Sequence, residues 1–300
     1  MQFLDSDKMN ADFVGKRRLF MMISAIAILI GFAALLVRGG LNYGIDFAGG
    51  TMVQVRFAKP LNSDQIRKAL TEIDMGDASI QQFEGEATHE FLIRVEKSDS
   101  NLVGLSDEIK VVLDKAFGSE NVDIRRVEMV GPKVGKDLRR QGIMAIIYAM
   151  IGILIYVTLR FELRFAVGAI VALVHDVSIT VGMFALLDKE FSLPIVAALL
   201  AIVGYSLNDT IVVYDRIREN LKGSGKANFL NVINSSINQT LSRTILTSLT
   251  TMLVLISLFF LGGGVIHDFA FAMIIGVFVG TYSSIFIASP VVIMMQPKKK

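Results

Sequence analysis

One carboxylate of this sequence lies where a charged side chain is costly. Asp209 falls inside the run PIVAALLAIVGYSLNDTIVVY, from Pro194 to Tyr214, which has the length and composition of a membrane-spanning helix. An ionised Asp near the centre of such a helix costs about 2.5–3.5 kcal/mol on insertion scales. At about 1.5 Å per residue, Asp209 lies roughly 22 Å from Pro194 and about 9 Å from Asp215, where the charged run DRIREN begins. We therefore expect Asp209 to be partnered, protonated or both, and functional.

Two other apolar runs bring ionisable groups to a similar depth. Arg243 precedes the run that ends at Leu261 and lies about 27 Å from it, within roughly 5 Å of the depth of Asp209. This spacing allows an ion pair between Asp209 and Arg243. We expect the pair to have a function, because apolar packing could replace a purely structural pair at little cost. His175 and Asp176 lie near the middle of another run, where an imidazole beside a carboxylate could relay protons.

Further polar groups are candidates for such a relay or for helix packing. Tyr205 and Asn208 share a helix face with Asp209. Thr247 belongs to a stripe with Thr244 and Thr251, whose hydroxyls favour helix packing at about 1 kcal/mol or less per bond. The pair of His175 and Asp176 has two open interpretations, a proton relay or a satisfied core pair. The sequence alone does not choose between them.

The last apolar run has small residues at every fourth position, which lets another helix approach its backbone closely. These positions are Ala272, Gly276, Gly280, Ser284 and Ala288. We interpret them as a helix-packing seam, directed within the chain or toward a partner. The sequence has no cysteine and three separated histidines without HExxH, so no metal site and no cofactor are expected. No nucleic-acid partner is expected either.

Six apolar runs position these groups, in a chain that is 53% hydrophobic. They are about long enough to cross a bilayer and predict six spans, at Leu19–Val37, Gly142–Leu159, Phe165–Leu187, Pro194–Tyr214, Thr244–Leu261 and Phe269–Met295. The amphipathic segment from Asn228 to Arg243, after a break at Gly223-Ser224-Gly225, is predicted to lie at the membrane interface before the fifth span.

The basic residues orient the spans. One side has most of them, namely Lys8, Lys16, Arg17, Arg18, Arg160, Arg164, Arg216, Arg218, Lys222, Lys226, Lys298, Lys299 and Lys300. The short loops opposite offer only Lys189, so both termini are predicted to be cytoplasmic. The cluster Lys133, Lys136, Arg139 and Arg140 disagrees, but it follows a long translocated segment, where the rule is weak.

The segment between the first two spans has the pattern of a soluble domain. Its predicted strands are Thr51–Phe57, Ser79–Phe83, Glu90–Val95 and Val122–Val130, and its predicted helices are Ser63–Ile73 and Asn101–Phe117. We expect Ser63 to be an N-cap. This order predicts a periplasmic ferredoxin-like α+β (βαββαβ) domain on a polytopic α-helical membrane protein with six transmembrane helices. The preceding GIDFAGGT matches no phosphate-binding motif and is interpreted as a bend joining helix to sheet.

The domain organisation follows from these boundaries. It comprises a cytoplasmic N-terminal segment 1–18, transmembrane helix 1 at 19–37, the periplasmic domain at 38–140, transmembrane helices 2–6 at 141–295 and a basic cytoplasmic tail at 296–300.

Four motifs together carry a family resemblance. They are GIDFAGGT, VALVHDV around His175, GYSLNDTIVVYDRIREN around Asp209 and NQTLSRT around Arg243. With them, nearly the whole chain resembles the SecF family, membrane subunits of the bacterial SecD–SecF protein-export complex in the resistance-nodulation-division superfamily. The resemblance implies that the essential intramembrane acid is Asp209 and that its charged partner is Arg243.

The resemblance also implies a function. It is that of an accessory subunit which, with SecD, uses the proton motive force to promote protein export across the bacterial cytoplasmic (inner) membrane, without enzymatic activity. The implied partners are SecD, the SecYEG translocon, YajC, emerging secreted polypeptides and the lipid bilayer. Sodium as coupling ion stays open.

Three other functions are compatible with parts of the pattern. A proton-driven small-molecule or lipid exporter of the same superfamily usually has larger outer domains. An intramembrane aspartyl protease would use Asp176 and Asp209, but a Gly-x-Gly-Asp motif is absent at Asp209. A purely structural translocon subunit would tolerate Asp209→Asn.

Overall fold

The computed structural model describes residues 11–82, 89–95, 104–223 and 229–296. Within them, six helical segments are long and apolar enough to cross a membrane, as the sequence predicted. Five are single helices: α1 (Arg17–Val37), α5 (Pro132–Arg160), α6 (Leu163–Leu186), α7 (Leu193–Gly223) and α8 (Phe229–Leu261). The sixth span, Gly264–Met294, joins α9 (Gly264–Ser283), a π-helical turn (Ser284–Ala288) and α10 (Ser289–Met294).

The spans divide into a central and a peripheral group. In their most apolar stretches, 50% of the positions of α6 and of α7 and 67% of those of the sixth span are buried, against 11% in each of α1, α5 and α8. The α1 helix packs on α6 where two glycines meet, because a Cβ on Gly31 would lie 2.8 Å from the Cα of Gly182. Polar or charged side chains that must be shielded from water and lipid are therefore expected on α6, α7 and the sixth span.

The α8 helix begins well before Thr244 and is continuous from Phe229 to Leu261. The described part of the predicted interfacial segment, residues 229–243, therefore does not turn into the fifth span but is the first part of the same helix. Its place at the membrane interface stays a prediction. The apolar face of this segment, including Ile233 and Ile237, packs in one core cluster with the extension of α7. An amphipathic segment has one apolar face that must be covered, and here α7 covers it.

The widened turn in the sixth span has a local cause. Pro290 has no N–H for the carbonyl of Phe286, four residues earlier, and its ring would crowd that carbonyl in a regular helix. The π-helical turn immediately precedes Ser289, whose hydroxyl donates to the carbonyl of Ser284 at 3.0 Å. The span therefore continues past the proline, and the Ser289 side chain satisfies one of the carbonyls of the turn.

The soluble domain between α1 and α5 is a four-stranded antiparallel sheet with two helices. The strands are β1 (Gly50–Phe57), β2 (Ser79–Gln82), β3 (Glu90–Val95) and β4 (Val122–Val130), and the helices are α3 (Ser63–Leu70) and α4 (Leu105–Phe117). The spatial order β2-β3-β1-β4, with every pair antiparallel, confirms the predicted ferredoxin-like fold. Alternate residues of β1 enter its core, among them Val53, Val55 and Phe57.

The start of α3 differs from the prediction. The N-cap is Asn62 rather than Ser63, because the Asn62 side chain accepts from the backbone N–H of Gln65 at 2.9 Å. The Gln65 side chain accepts from the Asn62 backbone in return, which completes a capping box.

Several predicted features lie outside the described residues. They are the first ten residues with Lys8, the end of a strand at Phe83, the start of a helix at Asn101, the break at Ser224-Gly225, Lys226, the helix start at Asn228 and the tail 297–300.

The glycine-rich GIDFAGGT segment forms the predicted bend and also binds the membrane helices. It contains the short helix α2 (Ile45–Ala48), followed by Gly49 at φ 82°, where a Cβ would lie 2.8 Å from the Cα of Pro132. Asp46 accepts from the backbone N–H of Leu193 at 2.8 Å and thereby caps α7. The α7 helix is thus connected directly to the domain.

A buried ion pair adds a second connection. Arg94 on β3, 5% exposed, pairs with Glu190 in the turn between α6 and α7. Burial raises the pKa of the Glu190 carboxyl above its ordinary 4.5, and the Arg94 guanidinium partly offsets this rise.

Candidate functional site

Two carboxylates lie in the central group of spans. Asp176 on α6 is fully buried, and Asp209 on α7 is 2% exposed. Ser206 and Asp209, three residues apart on α7, both face inward because α9 lies close to α7. A Cβ on Gly276 would overlap the Ile202 side chain, and a Cβ on Gly280 would lie 2.9 Å from the Cβ of Ser206. Small residues of the sixth span thus determine where the α7 carboxylate lies.

The predicted packing seam is filled from within the chain. Gly276, Gly280 and Ser284 are buried, and the two glycines contact α7. The Ser284 hydroxyl donates to the carbonyl of Thr281 at 2.9 Å. With α7 occupying this face of the sixth span, the seam is closed to a partner subunit.

Asp176 has a complete set of polar partners. Its Oδ2 accepts from the hydroxyl of Ser206 at 2.5 Å and from that of Ser283 at 2.8 Å. Its Oδ1 lies 2.8 Å from Nδ1 of His175. Three helices therefore converge on one carboxylate, and each contributes a polar partner.

The His175 ring extends this cluster toward α1. It stacks on Tyr282 with ring centroids 6.0 Å apart, and its Nε2 is buried without a hydrogen-bond partner among the described residues. The Tyr282 hydroxyl donates to the carbonyl of Phe20 at 2.6 Å and lies 2.9 Å from the Ser24 hydroxyl. The cluster therefore connects the central spans to a peripheral one.

Asp209 has much weaker partners. Its Oδ2 accepts from the Ser248 hydroxyl at 3.5 Å, longer than a well-formed hydrogen bond. Ser248 also lies 2.6 Å from the Thr281 hydroxyl and accepts from the Tyr205 hydroxyl at 3.3 Å. A chain of hydroxyls thus leads to Asp209 from α7, α8 and the sixth span and leaves the carboxylate with unused acceptor positions.

Arg243 is separate from Asp209 in this conformation. The Arg243 side chain is exposed, and no cation of the described residues lies within the 4.0 Å ion-pair distance of Asp209. The guanidinium nevertheless interacts with Asp209 through space. The functional pairing of Asp209 with Arg243 therefore stays a prediction.

The structure brings only some of the other predicted residues to this site. Tyr205 reaches Asp209 through Ser248, whereas Asn208 is exposed. The Thr247 hydroxyl donates within its own helix, to the carbonyls of Arg243 and Thr244 at 3.0 Å each. Their relay roles stay predictions.

Four hydroxyl residues of the site were missed as carboxylate partners, namely Ser206, Ser248, Thr281 and Ser283. Ser206 had a usable signal, since it is three residues before Asp209 on the same helix face. The other three lie on different helices. A serine or threonine in an apolar run is common, and the sequence does not indicate which neighbouring helix its hydroxyl faces. Within the described parts of the chain, no three His, Cys, Asp or Glu side chains converge as metal ligands.

The fold and the two carboxylates define a class: six-span helical membrane proteins with ionisable groups in the central helices and a ferredoxin-like domain outside the bundle. Residues 110–298 match the family described as "Protein export membrane protein SecD/SecF, C-terminal", and residues 34–61 match "SecD/SecF GG Motif". The chain belongs to the SecF family of protein translocase subunits. This is a transport family, and the resemblance inferred from the motifs is confirmed.

Individual relatives support this assignment along the whole chain. The protein translocase subunit SecF of Magnetococcus marinus is 52% identical over 95% of this chain and 92% of its own. That of Calditerrivibrio nitroreducens is 49% identical over 100% and 99%. The crystal structure of SecDF from Thermus thermophilus superposes with a TM-score of 0.86 at 41% identity, over 97% of this chain. The chain spans 39% of that longer SecDF chain.

Proposed function

We propose that this SecF subunit works with SecD and couples the proton motive force to protein export across the bacterial cytoplasmic membrane. The observation that carries the proposal is the state of Asp209, a carboxylate buried in a membrane span and only weakly hydrogen-bonded, with the Ser248 hydroxyl at 3.5 Å. A buried charge with so little compensation is costly, and binding a proton removes that cost. Binding of a proton at Asp209 therefore changes the energy of the helix bundle.

The consequence of proton binding follows from the groups around Asp209. An ionised Asp209 attracts the Arg243 guanidinium through space, and a neutral Asp209 does not. Protonation of Asp209 therefore frees α8 to move relative to α7. The hydroxyls of Ser248 and Thr281 would then change their hydrogen-bond partners. Each proton that crosses 100 mV supplies about 2.3 kcal/mol, enough to change the relative populations of two packed arrangements.

The α7 helix connects this event to the outer domain. Its first residue, Leu193, is held by Asp46, and the adjacent turn is held by the pair of Glu190 with Arg94. A shift of α7 is therefore transmitted to the sheet through two polar contacts. Repeated movements of the periplasmic domain would then bias an emerging secreted polypeptide outward.

Partnership with SecD has independent support. In Thermus thermophilus, the matching region is part of one longer chain named SecDF. The peripheral spans α1, α5 and α8 present apolar side chains, including Ile26, Ile147 and Leu253, which suit another membrane helix or lipid. The translocon SecYEG and YajC are further proposed partners. Both termini are proposed to lie in the cytoplasm, with residues 38–140 in the periplasm.

The test is export of a secreted protein after the translocation motor is exhausted, in vesicles that contain SecD and this chain. With a proton gradient imposed, we expect export with the native chain and loss of the gradient-dependent component with Asp209→Asn. Asp215→Asn, on the same helix at its charged edge, is the matched control. Gradient-dependent export that survives Asp209→Asn at normal protein level and complex assembly overturns the proposal. Replacing the proton gradient by a sodium gradient identifies the coupling ion.

A further inference from the structure

A cleft of about 620 Å³ opens at the end of the helix bundle opposite the outer domain. It lies between the turn that joins α5 to α6, the extended end of α7, the start of α8 and Gln296 after α10. Four cations line it, Arg160, Arg164, Arg218 and Lys222, against one lining carboxylate, Glu162. We call this feature the basic cleft.

The cations of the basic cleft are only partly compensated. Arg160 lies 3.5 Å from Asp215, and Nε of Arg164 lies 2.8 Å from Glu162 but without hydrogen-bonding alignment. Arg218 donates to the backbone carbonyl of Arg160 at 3.3 Å, and within the described ranges no carboxylate lies within 4.0 Å of it.

Lys222 adds to the excess charge. Among the described residues, no carboxylate lies within 4.0 Å of it. Arg218 and Lys222 are four residues apart on one helix face, where like charges destabilise a helix. An anion in the cleft would remove this repulsion.

The aromatic floor of the cleft fixes the guanidinium groups in place. Arg164 lies over the rings of Phe165 and Phe229 at 5.2 Å and 5.5 Å, and Arg218 lies over Phe161 at 6.0 Å. Cation–π stacking holds the planar groups while their N–H edges stay free to bind an anion. Arginine forks match the geometry of phosphate oxygens, so the site is prepared for a phosphate ester.

The surroundings of the cleft favour a lipid as the source of that phosphate. Leu159 and Leu163, on the helices that border the cleft, are 83% and 61% exposed, and Tyr156 is exposed one turn earlier. In a span these side chains contact acyl chains. A headgroup in the cleft therefore places its lipid tails against apolar surface, whereas free phosphate gains nothing from it. Basic pockets of this kind between membrane helices suit anionic headgroups.

We propose that the basic cleft binds the phosphate group of an anionic phospholipid such as phosphatidylglycerol. Arg164 and Arg218 bind the phosphate oxygens, Lys222 supplies further positive charge, and Glu162 limits affinity by competing for Arg164. A lipid held there joins α5, α6, α7 and α8 at one point, on the side of the membrane away from the outer domain.

The test compares lipid binding to the purified full-length chain by native mass spectrometry. Phosphatidylglycerol and phosphatidylcholine are titrated separately, and a third arm uses inorganic phosphate. We expect retention of phosphatidylglycerol over phosphatidylcholine, and a loss of about tenfold or more in affinity in the double variant Arg164→Gln/Arg218→Gln. The matched control is Lys16→Gln/Arg18→Gln, which removes two cations near the start of α1, outside the cleft.

The variant Glu162→Gln keeps the proposal falsifiable if the double variant folds poorly. It removes the competing carboxylate and is expected to raise affinity for phosphatidylglycerol severalfold. Equal binding of the two lipids, an equal loss in the control, or unchanged affinity in Glu162→Gln overturns the proposal. Binding of inorganic phosphate as tight as that of the lipid also overturns it, because the headgroup alone would then explain the site.

Discussion

Asp176 and Asp209 are both buried, but their surroundings differ: the partners of Asp176 come from α6, α7 and the sixth span, and those of Asp209 from α7, α8 and the sixth span. Asp176 receives two serine hydroxyls at 2.5 Å and 2.8 Å and lies 2.8 Å from His175, whereas Asp209 receives the Ser248 hydroxyl at 3.5 Å and a further weak contact from Thr281. A carboxylate with all its partners in place holds helices in one arrangement, since changing its charge breaks several hydrogen bonds at once. A carboxylate with vacant acceptor positions changes charge with little rearrangement. From this difference we infer that Asp176 holds the helices together and that Asp209 is the carboxylate that changes its charge.

The two carboxylates are nevertheless mechanically connected. Ser206, which binds Asp176, and Asp209 itself lie on one face of α7. Thr281, which binds Ser248, and Ser283, which binds Asp176, lie two residues apart on the sixth span. Movement of α7 against the sixth span therefore alters both sites. Variants that change one site and should leave the other unchanged test whether the two carboxylates differ in this way.

The largest expected effect on stability comes from Asp176→Ala. The substitution leaves Ser206 and His175 without their shared partner, at about 1–3 kcal/mol for each unsatisfied group, whereas Ser283 keeps the carbonyl of Gly280 as an acceptor. We expect a loss of several kcal/mol in unfolding free energy, measured by denaturation in detergent. Asp209→Ala should cost about 1 kcal/mol or less, because it removes only weak hydrogen bonds. Equal losses in the two variants would remove the distinction between the sites.

Overpacking of the helix seam is expected to have the next largest effect. A Cβ on Gly276 overlaps the Ile202 side chain, so Gly276→Ala should destabilise the bundle by about 1–3 kcal/mol and displace α7. Gly204→Ala is the matched control, since a Cβ there meets no atom within 4 Å. Thermal unfolding of the two variants in the same detergent checks this. Similar melting temperatures would show that the seam adapts without cost.

A smaller effect is expected from Ser248→Ala. It removes the hydroxyl that links Tyr205, Asp209 and Thr281, with a stability cost of about 0.5–1.5 kcal/mol. Gradient-driven export should slow severalfold while the unfolding transition hardly moves. Ser257→Ala, which removes a hydroxyl bonded within α8 to the carbonyl of Leu253, should leave export unchanged. If both serine variants export alike, the hydroxyl chain has no role at Asp209.

The smallest expected effect is a change in the pH dependence of stability, caused by a substitution at the contact between the outer domain and the helix bundle. Burial raises the pKa of Glu190, and Arg94 opposes the rise, so Arg94→Gln should raise that pKa further. Between the unfolded and folded pKa values the folded state holds more protons than the unfolded state, so stability falls as pH rises through this window. In Arg94→Gln the window extends to higher pH.

Melting temperatures from about pH 4 to pH 7 measure this effect. Glu190→Gln should remove this contribution to the slope. Arg126→Gln, at the exposed pair with Glu128, should reproduce the native slope. A native slope in Arg94→Gln would show that Arg94 does not influence the Glu190 carboxyl.

The sequence predicted the elements well because their signals are local. Each span is a continuous apolar run, and β1 alternates apolar and polar residues, so their positions follow from neighbouring residues alone. The strands at Glu90–Val95 and Val122–Val130 were predicted with the observed bounds. The misassigned N-cap shows the limit of local reading, because Asn62 and Ser63 are both good caps and only the backbone bend distinguishes them.

The site was only half accessible from sequence. Asp209 was identifiable because a carboxylate in an apolar run is conspicuous whatever surrounds it. Its partners Ser248 and Thr281 were not, because they depend on how α8 and the sixth span are rotated about their axes. The same holds for the distance from Asp209 to Arg243, which depth along the membrane normal does not determine.

The sequence by itself thus determined six spans, a ferredoxin-like domain and a costly acid in the fourth span, since hydrophobic length, strand alternation and the cost of a buried charge are properties of the chain. Only the tertiary structure decided which carboxylate is fully hydrogen-bonded and which has vacant positions. The physical reason is helix packing: the glycines of the sixth span set the approach of α7, and that approach brings Ser206 and Ser283 to Asp176 and leaves Asp209 only weakly hydrogen-bonded.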